Sequence, residues 1–570
     1  MNHIIEVDHL MKSYGTVKAV QDISFYVEEG GLFAFLGPNG AGKSTTINMI
    51  CTFLRPDGGS VVVDGSRLGE DDKHIRENIG IVFQNSLLDD LLTVEENLFI
   101  RGSFYNLKGD ALKKAVLKAA KATELMGFLR RPYGKLSGGQ RRRADIARAL
   151  IHTPRVLFLD EPTTGLDPQS RRSIWNTIKK LQAEQGMTVF LTTHYMEEAE
   201  DADYCIVVDD GKIAAKGTPS DLKGRYAKDK LRILLAESGE TINLKLGSTI
   251  EALEILKKYG YKGIHRGERF YGRCVYWNYR KGDQRMIAFT KRNLKIYFRD
   301  RASVLFSLLT VFIIIGLYVL FLGDVWTKDL QAFEGARELM DNWVMAGVLA
   351  VTSFTTTMGM LGSMVKDREL KINMDFYISP ISRTALTGGY IAGAYIVGLT
   401  MTLLAFVAAE IYIVVNGGSF LAAEQIVKVL AMILLTTLMN TTLMVFIVSL
   451  FRSQSAFSVA STVFGTMIGF ITGIYLPIGM YPEAVQWIIK IFPVSHAAAI
   501  FRNLMMEGPM KTAFEGAPAK IAADLKTELG VCYEFGGHTV TQTESLLIIA
   551  ACIVIFFVLG RLCNRKRNVK

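Results

Sequence analysis

The run GPNGAGKST, Gly37–Thr45, sets three glycines, an asparagine, a lysine and two hydroxyl residues in nine positions, directly after the apolar stretch Leu32–Leu36. Gly37, Gly40 and Gly42, with Asn39 among them, allow successive backbone N–H groups to turn inward around a phosphate, and a helix opening at this point adds its N-terminal dipole. Lys43 is placed to reach the β- and γ-phosphates of a nucleotide. The Ser44 hydroxyl, with Thr45 beside it, is placed to hold Mg²⁺. Downstream, RVLFLDEPTTGLDP (Arg155–Pro168) is an apolar strand ending in two carboxylates. Asp160 is expected to support Mg²⁺, directly or through water, and Glu161 to polarise an attacking water. Between these lies LSGGQ, Leu136–Gln140, whose Ser137, Gly138, Gly139 and Gln140 precede the arginine-rich stretch RRRADIARAL and offer a second helix-terminal phosphate cradle. Together these are the parts of a nucleoside-triphosphate hydrolase.

Such a site needs strands that end together. Leu32–Leu36, Val61–Val63, Ile79–Val82, Val156–Leu159, Thr188–Leu191 and Cys205–Val208 read as strands, several of them unbroken apolar runs suited to an α/β sheet covered on both faces. Residues 1–230 are therefore expected to form an α/β nucleotide-binding domain, 231–283 a small appended α/β piece, and 284–302 an amphipathic interfacial connector.

Beyond about residue 300 the composition changes. Uncharged runs at 303–323, 342–365, 384–409, 429–451 and 453–482, with a shorter one at 545–560, read as six membrane-crossing helices near 303–323, 342–365, 386–413, 429–451, 455–478 and 544–562. The fold class expected is thus multidomain, an α/β P-loop ATPase domain followed by an all-α six-helix transmembrane domain over 303–570. No apolar signal segment opens the chain, so both termini are expected in the cytoplasm. The chain is 49% hydrophobic with a net charge of +10. Fourteen basic residues against three acidic lie between 257 and 301, and five basic with no acidic between 561 and 570. The basic excess therefore flanks the expected membrane part on its cytoplasmic side, facing anionic lipid rather than nucleic acid.

The ordered set Tyr14, GPNGAGKST, Gln84, LSGGQ, VLFLDEP, the GLD of Gly165–Asp167 and His194 resembles the ATP-binding cassette (ABC) ATPases over about the first 220 residues. The resemblance implies that Tyr14 stacks on adenine, that Gln84 touches Mg²⁺ and relays to the membrane part, that Asp167 lies in a dimer seam, and that His194 contacts the γ-phosphate and orients the reaction. Order and span number resemble bacterial exporters of the daunorubicin-resistance type, fused into one chain. The permease likeness rests on Phe376–Tyr390, FYISPISRTALTGGY, and on Ile488–Met505. It makes Glu369, Pro380 and Arg383 the coupling positions.

In the family this chain resembles, ATP is closed between one copy's P-loop and the other's LSGGQ, so one P-loop and one LSGGQ per chain imply two copies. The expected partner is a second copy, or a closely related half-transporter. The function that follows is ATP-driven export of an amphipathic small molecule, a drug or antibiotic, a lipid or a peptide. The alternatives are a signalling or mechanotransmission complex without flux, and polysaccharide or polymer export. Glu410 and Asn440, polar positions within uncharged sequence, are the substrate-path candidates. No N-x-[ST] sequon falls in the expected outer segments, which favours a bacterial protein of the plasma membrane.

Overall fold

The computed structural model describes residues 3–193, 195–226, 230–234, 241–245, 282–318, 335–451, 453–515 and 519–567. They fall into two units, Met1–Arg285 with Met374–Ser382, and Met286–Asn373 with Arg383–Lys570.

In the first unit, β1 (His3–Tyr14) and β2 (Val17–Glu28) form a four-stranded antiparallel sheet with β4 (Gly58–Val63) and β5 (Ser66–Arg67). The second sheet holds β3 (Leu32–Leu36), β6 (Ile79–Val82), β7 (Val156–Asp160), β8 (Thr188–Thr193), β9 (Tyr204–Asp209) and β10 (Lys212–Gly217), in the order β10-β9-β3-β8-β7-β6. It is parallel except for β10. The helices are α1 (Lys43–Ile50), α2 (Asp72–Asn78), α3 (Val94–Ser103), α4 (Gly109–Ala122), α5 (Gly138–Leu150), α6 (Pro168–Gln185), α7 (Met196–Ala199) and α8 (Pro219–Tyr226).

The unbroken apolar runs have a simple cause. Successive strand residues face opposite sides, and both sides are cores. Phe33, Phe35, Phe158 and Phe190 pack with Ile5, Val7 and Val61 of the antiparallel sheet. Leu32, Ala34, Leu36, Leu157, Val189 and Leu191 pack with Leu98, Val116 and Ile146 of α3, α4 and α5. Each such Phe or Leu contributes about 1.5–3 kcal/mol by leaving water. Val61–Val63 belongs to the antiparallel sheet instead, where it pairs with Ile5–Val7. Of the appended 231–283 segment, β11 (Lys230–Leu234) and β12 (Thr241–Lys245) pair antiparallel; its remainder lies outside the described residues.

The second unit is helical: α9 (Gly282–Arg299), α10 (Arg301–Leu317), α11 (Ala336–Glu369), α12 (Ile372–Ile378), α13 (Arg383–Val415), α14 (Ala423–Leu450), α15 (Gln454–Ile471), α16 (Glu483–Ile491), α17 (Pro493–Met505), α18 (Glu507–Ala513), α19 (Ala519–Glu528) and α20 (Gln542–Arg567). The first residues of α9 and the end of α12 belong to the first unit. α11 is buried along most of its length, whereas α15 and α20 expose most of their apolar surface. Gly398 lets α13 approach α11 closely: a Cβ there would lie 2.5 Å from Thr357 Cγ2.

Among the described residues, five helices are long and apolar enough to cross a membrane, or six if the pair α16–α17, bent by 87°, is one span. That pair lies between the expected spans 455–478 and 544–562. The first expected span, 303–323, is described only as far as Tyr318. The connector also differs from expectation. Arg292 of α9, read as a headgroup-facing charge, is 0% exposed and paired bidentately with Asp367 of α11, at 2.5 and 3.0 Å.

Candidate active site

β3 delivers the chain at Leu36 into a loop that excludes side chains at two points. A Cβ on Gly37 would lie 2.1 Å from the Val208 carbonyl oxygen. One on Gly42, whose φ is +98°, would lie 2.3 Å from that of Ala19. The turn is therefore tight, and α1 opens on Gly42 with the N–H groups of Lys43, Ser44 and Thr45 lacking partners within the helix. Asn39 and Gly40 are exposed on the same loop. Lys43 is buried, and its Nζ donates to the carbonyls of Gly37 (2.7 Å) and Pro38 (2.9 Å). Burial lowers its pKa, while Glu161 and Asp160 pull it back up.

Those two carboxylates end β7. Asp160 Oδ1 accepts from the Thr192 hydroxyl at 2.6 Å. Burial holds its carboxyl above the ordinary range and Glu161 adds to this, against the Thr192 hydrogen bond and Lys43. Glu161 follows with φ +46°, left-handed for a residue that is not glycine, a conformation worth about 1–3 kcal/mol of strain. Its N–H donates to the Thr192 carbonyl at 3.1 Å. Its Oε2 accepts from Gln84 Nε2 (3.1 Å) and from the Thr164 hydroxyl (3.2 Å). Gln84, distant in sequence, is thus brought onto the carboxylate that sequence reading assigned to the water.

Ser137 caps α5 in a reciprocal box: its Oγ accepts from the Gln140 N–H (3.4 Å) and its own N–H donates to Gln140 Oε1 (3.1 Å). At Gly139 a Cβ would lie 2.5 Å from Ser170 Oγ, so this turn lies against the first turn of α6. Asp167 caps α6 by accepting from the Ser170 N–H at 2.9 Å, and hydrogen bonds from Ser170 hold its exposed carboxyl low. Tyr14 stands exposed at the end of β1. His194 lies outside the described residues.

Four ionic residues that sequence reading missed, Asp89, Arg101, Arg148 and Asp375, mark a second feature of this unit. Asp375, on the segment Met374–Ser382, is 2% exposed and receives Arg101 Nε at 2.8 Å and Arg148 at 2.9 Å. Arg101 also binds Asp89 at 2.7 Å and lies over the Phe376 ring, 5.1 Å from its centre. Pro380, one of the expected coupling positions, offers its carbonyl to the guanidinium of Arg285. The other two lie elsewhere. Glu369 accepts from the Gln454 N–H at 2.6 Å and so caps α15, and Arg383 is exposed at the start of α13.

Both substrate-path candidates are buried and make one hydrogen bond each among the described residues. Asn440 is fully buried, and its Nδ2 donates to Ser353 Oγ at 3.0 Å, tying α14 to α11. Glu410 is buried and accepts from the Leu421 N–H at 3.3 Å, closing the turn after α13. In each, the second polar atom, Asn440 Oδ1 or Glu410 Oε1, is buried with no hydrogen-bond partner among the described residues.

Comparison with known proteins agrees with this division. Residues 20–164 match the family model described as ABC transporter, and residues 324–562 match that described as ABC-2 family transporter protein. The chain is 42% identical to the linearmycin resistance ATP-binding protein LnrL of Bacillus subtilis over 240 residues, 41% of this chain and 76% of that protein. It is 40% identical to the daunorubicin/doxorubicin resistance ATP-binding protein DrrA of Streptomyces peucetius over 259 residues, 43% of this chain and 76% of that one. Among solved structures, the dimeric ATP-binding cassette MJ0796 bound to ADP and Pi is 32% identical, over 38% of this chain and 98% of that chain, with a TM-score of 0.36.

Proposed function

Because this chain belongs to the ABC transporter family, an ATP-hydrolysing cassette joined to an ABC-2 membrane part, we propose that it is a half-transporter. Its homodimer, in a bacterial plasma membrane with six spans per copy and cytoplasmic termini, exports an amphipathic small molecule of the kind its relatives confer resistance to. The observation that carries this reading is the membership of Met374–Ser382 in the cassette unit. That segment comes from between the membrane helices α11 and α13, and Asp375 holds it on Arg101 and Arg148.

Lys43, which spans two loop carbonyls, transfers its donors to the β- and γ-phosphates when ATP enters. The N–H groups of Lys43, Ser44 and Thr45 receive the phosphate oxygens, and exposed Tyr14 offers a face for adenine. The oxygen donors available, the Ser44 hydroxyl, the Gln84 amide oxygen and the Asp160 carboxylate, suit Mg²⁺, whose charge would offset that of the phosphates. Glu161, kept in place by Gln84 and Thr164, orients the attacking water and takes its proton. Within one copy the hydrogen bonds of Ser137 and Gln140 close on their own turn. The capping Ser137 hydroxyl accepts with its oxygen, so its proton can be offered to the γ-phosphate of ATP held by a second copy. Asp167 lies at that seam, and His194 contacts the γ-phosphate and orients the reaction.

The test uses the full chain in inside-out vesicles. ATP should drive accumulation of doxorubicin or linearmycin, and Glu161→Gln should abolish both hydrolysis and uptake while leaving ATP-dependent dimerisation. Hydrolysis without flux of any amphipathic probe would instead support a mechanotransmission role. Parental hydrolysis by the Glu161→Gln chain would remove the catalytic assignment.

A further inference from the structure

The residues that meet ATP do not explain why Gln84 points at Glu161. Gln84 lies in the irregular stretch after β6, and its side chain is exposed. Nothing in its own sequence neighbourhood holds it. What holds it comes from the second turn of α5. Arg142, buried there, forks onto the main chain: Nη1 donates to the Phe83 carbonyl at 2.6 Å and Nη2 to the Gln84 carbonyl at 2.8 Å. Those two carbonyls belong to the peptide planes before and after the Gln84 Cα. Fixing both planes fixes both of its backbone dihedrals, and hence the direction in which its side chain leaves.

A second grip lies two residues on. The Ser86 hydroxyl donates to Asp145 Oδ2 at 2.7 Å, and Tyr133 OH donates to Asp145 Oδ1 at 3.0 Å. Asp145 is 2% exposed, so this anchor is dry and rigid. The loop is therefore clamped on each side of Gln84 from one helix, which opens with Ser137–Gln140 and ends beside Arg148. We propose that Arg142, supported by Asp145, is the positioning residue that sets the Gln84 amide on Glu161, at 3.1 Å. A guanidinium suits this task because its rigid planar fork holds the two N–H donors in one fixed geometry toward the two carbonyls, which a flexible ammonium does not. The inference rests on the reading of Glu161 as the group that handles the water.

The experiment is steady-state ATP hydrolysis by the full chain in nanodiscs, varying ATP and Mg²⁺ separately. Arg142→Ala should lower kcat by about tenfold to a hundredfold, the loss that a misplacement of about 1 Å can cause, with KM for ATP little changed. Arg142→Lys should not rescue it. The Mg²⁺ concentration for half-maximal rate should rise in Arg142→Ala and in Gln84→Ala alike, a shift that a simple loss of folded protein does not produce. The double variant Arg142→Ala/Gln84→Ala should be no slower than Gln84→Ala alone, since the two act through one contact. Additive losses, or rescue by lysine, would overturn the proposal. Ser86→Ala, which removes only the Asp145 anchor, should reproduce a milder form of the same shift. If Arg142→Ala fails to fold, an unmoved Mg²⁺ dependence in Ser86→Ala overturns it alone. Glu161→Gln is run beside these: parental hydrolysis there would sink the underlying reading, whatever Arg142 does.

Discussion

Asp375 and Arg101 are 274 residues apart in sequence, yet Asp375 Oδ2 accepts from Arg101 Nε at 2.8 Å with both side chains almost wholly buried. Arg148 reaches the other carboxylate oxygen at 2.9 Å, and Asp89 takes up the second valence of Arg101. Two guanidinium groups and two carboxylates thus share a dry site, the arrangement in which losing one partner is expensive because the others stay buried and charged.

Asp375→Ala is accordingly expected to destabilise the cassette unit by about 3–5 kcal/mol. Adding Arg148→Met should restore part of it, since one uncompensated cation is then removed. Thermal unfolding of the purified chain measures both. A single variant that melts with the parent would show that water enters the site and the pair contributes little.

How far the sequence reveals this differs from part to part. The phosphate loop, the carboxylate pair and LSGGQ are contiguous, and their chemistry needs backbone geometry that glycines and helix starts announce locally. The parallel strands are equally plain, because a strand with a core on each face has no polar position. β1 and β2 are not, since their alternation carries His, Lys and Asp at solvent-facing points, as in His9 and Asp22, which pair at 2.7 Å. Arg142, Asp145 and Arg148 recur at three-residue spacing along one flank of α5, a signal that was available. Their meaning lay in partners at Phe83, Ser86 and Asp375, which only the fold brings near. In the membrane part, the threonines of α11 interrupt an otherwise apolar run without marking a cavity by themselves. Thr352, Thr356 and Thr357 return their hydroxyls to carbonyls of their own helix, at 2.7, 2.7 and 2.9 Å.

The phosphate loop should fail sterically as readily as chemically. Gly42→Ala places a methyl 2.3 Å from the Ala19 carbonyl oxygen and forces φ +98° on a residue that resists it. A strain of about 1–3 kcal/mol corresponds to roughly tenfold or hundredfold weaker ATP binding if the loop relaxes by opening. Fluorescent ATP-analogue titration reports this directly, and unchanged affinity would mean that the loop accommodates a side chain.

His152 supplies a pH prediction. Its ring stacks on Tyr105 with centroids 3.8 Å apart, and Nε2 lies 2.9 Å from the Ile79 carbonyl, so Nε2 carries the proton of a neutral imidazole. Burial pushes its pKa down to about 4, with the charge of Arg148 adding to this against the Ile79 hydrogen bond. The unfolded value is 6.5. Its contribution is therefore complete above pH 6.5 and is lost as pH falls towards 4, about 3 kcal/mol in all. Melting curves of the parent and of His152→Gln should converge across that window. Parallel curves would mean that His152 titrates normally.

The last prediction concerns the helical unit. Asp367 on α11 takes two bonds from Arg292 of α9 and a third, at 2.5 Å, from the Tyr390 hydroxyl of α13. Phe289 stands edge-on to Tyr390 with ring centres 4.9 Å apart, and Asn293 Nδ2 donates to the Gly389 carbonyl at 3.2 Å. Three helices therefore meet at one carboxylate. The acceptor side of the knot is Asp367, so its removal and removal of one donor should differ. Tyr390→Phe deletes a hydrogen bond to a charged group, about 1.5–3 kcal/mol, and leaves the Arg292–Asp367 pair intact. Asp367→Ala removes both carboxylate bonds from the buried Arg292 guanidinium and should cost about 3–5 kcal/mol. Detergent-solubilised thermal denaturation ranks the two, and Arg292→Met in the Asp367→Ala background should recover much of the larger loss. If Tyr390→Phe proves the more damaging variant, the phenol rather than the Arg292–Asp367 pair is the main support of this knot.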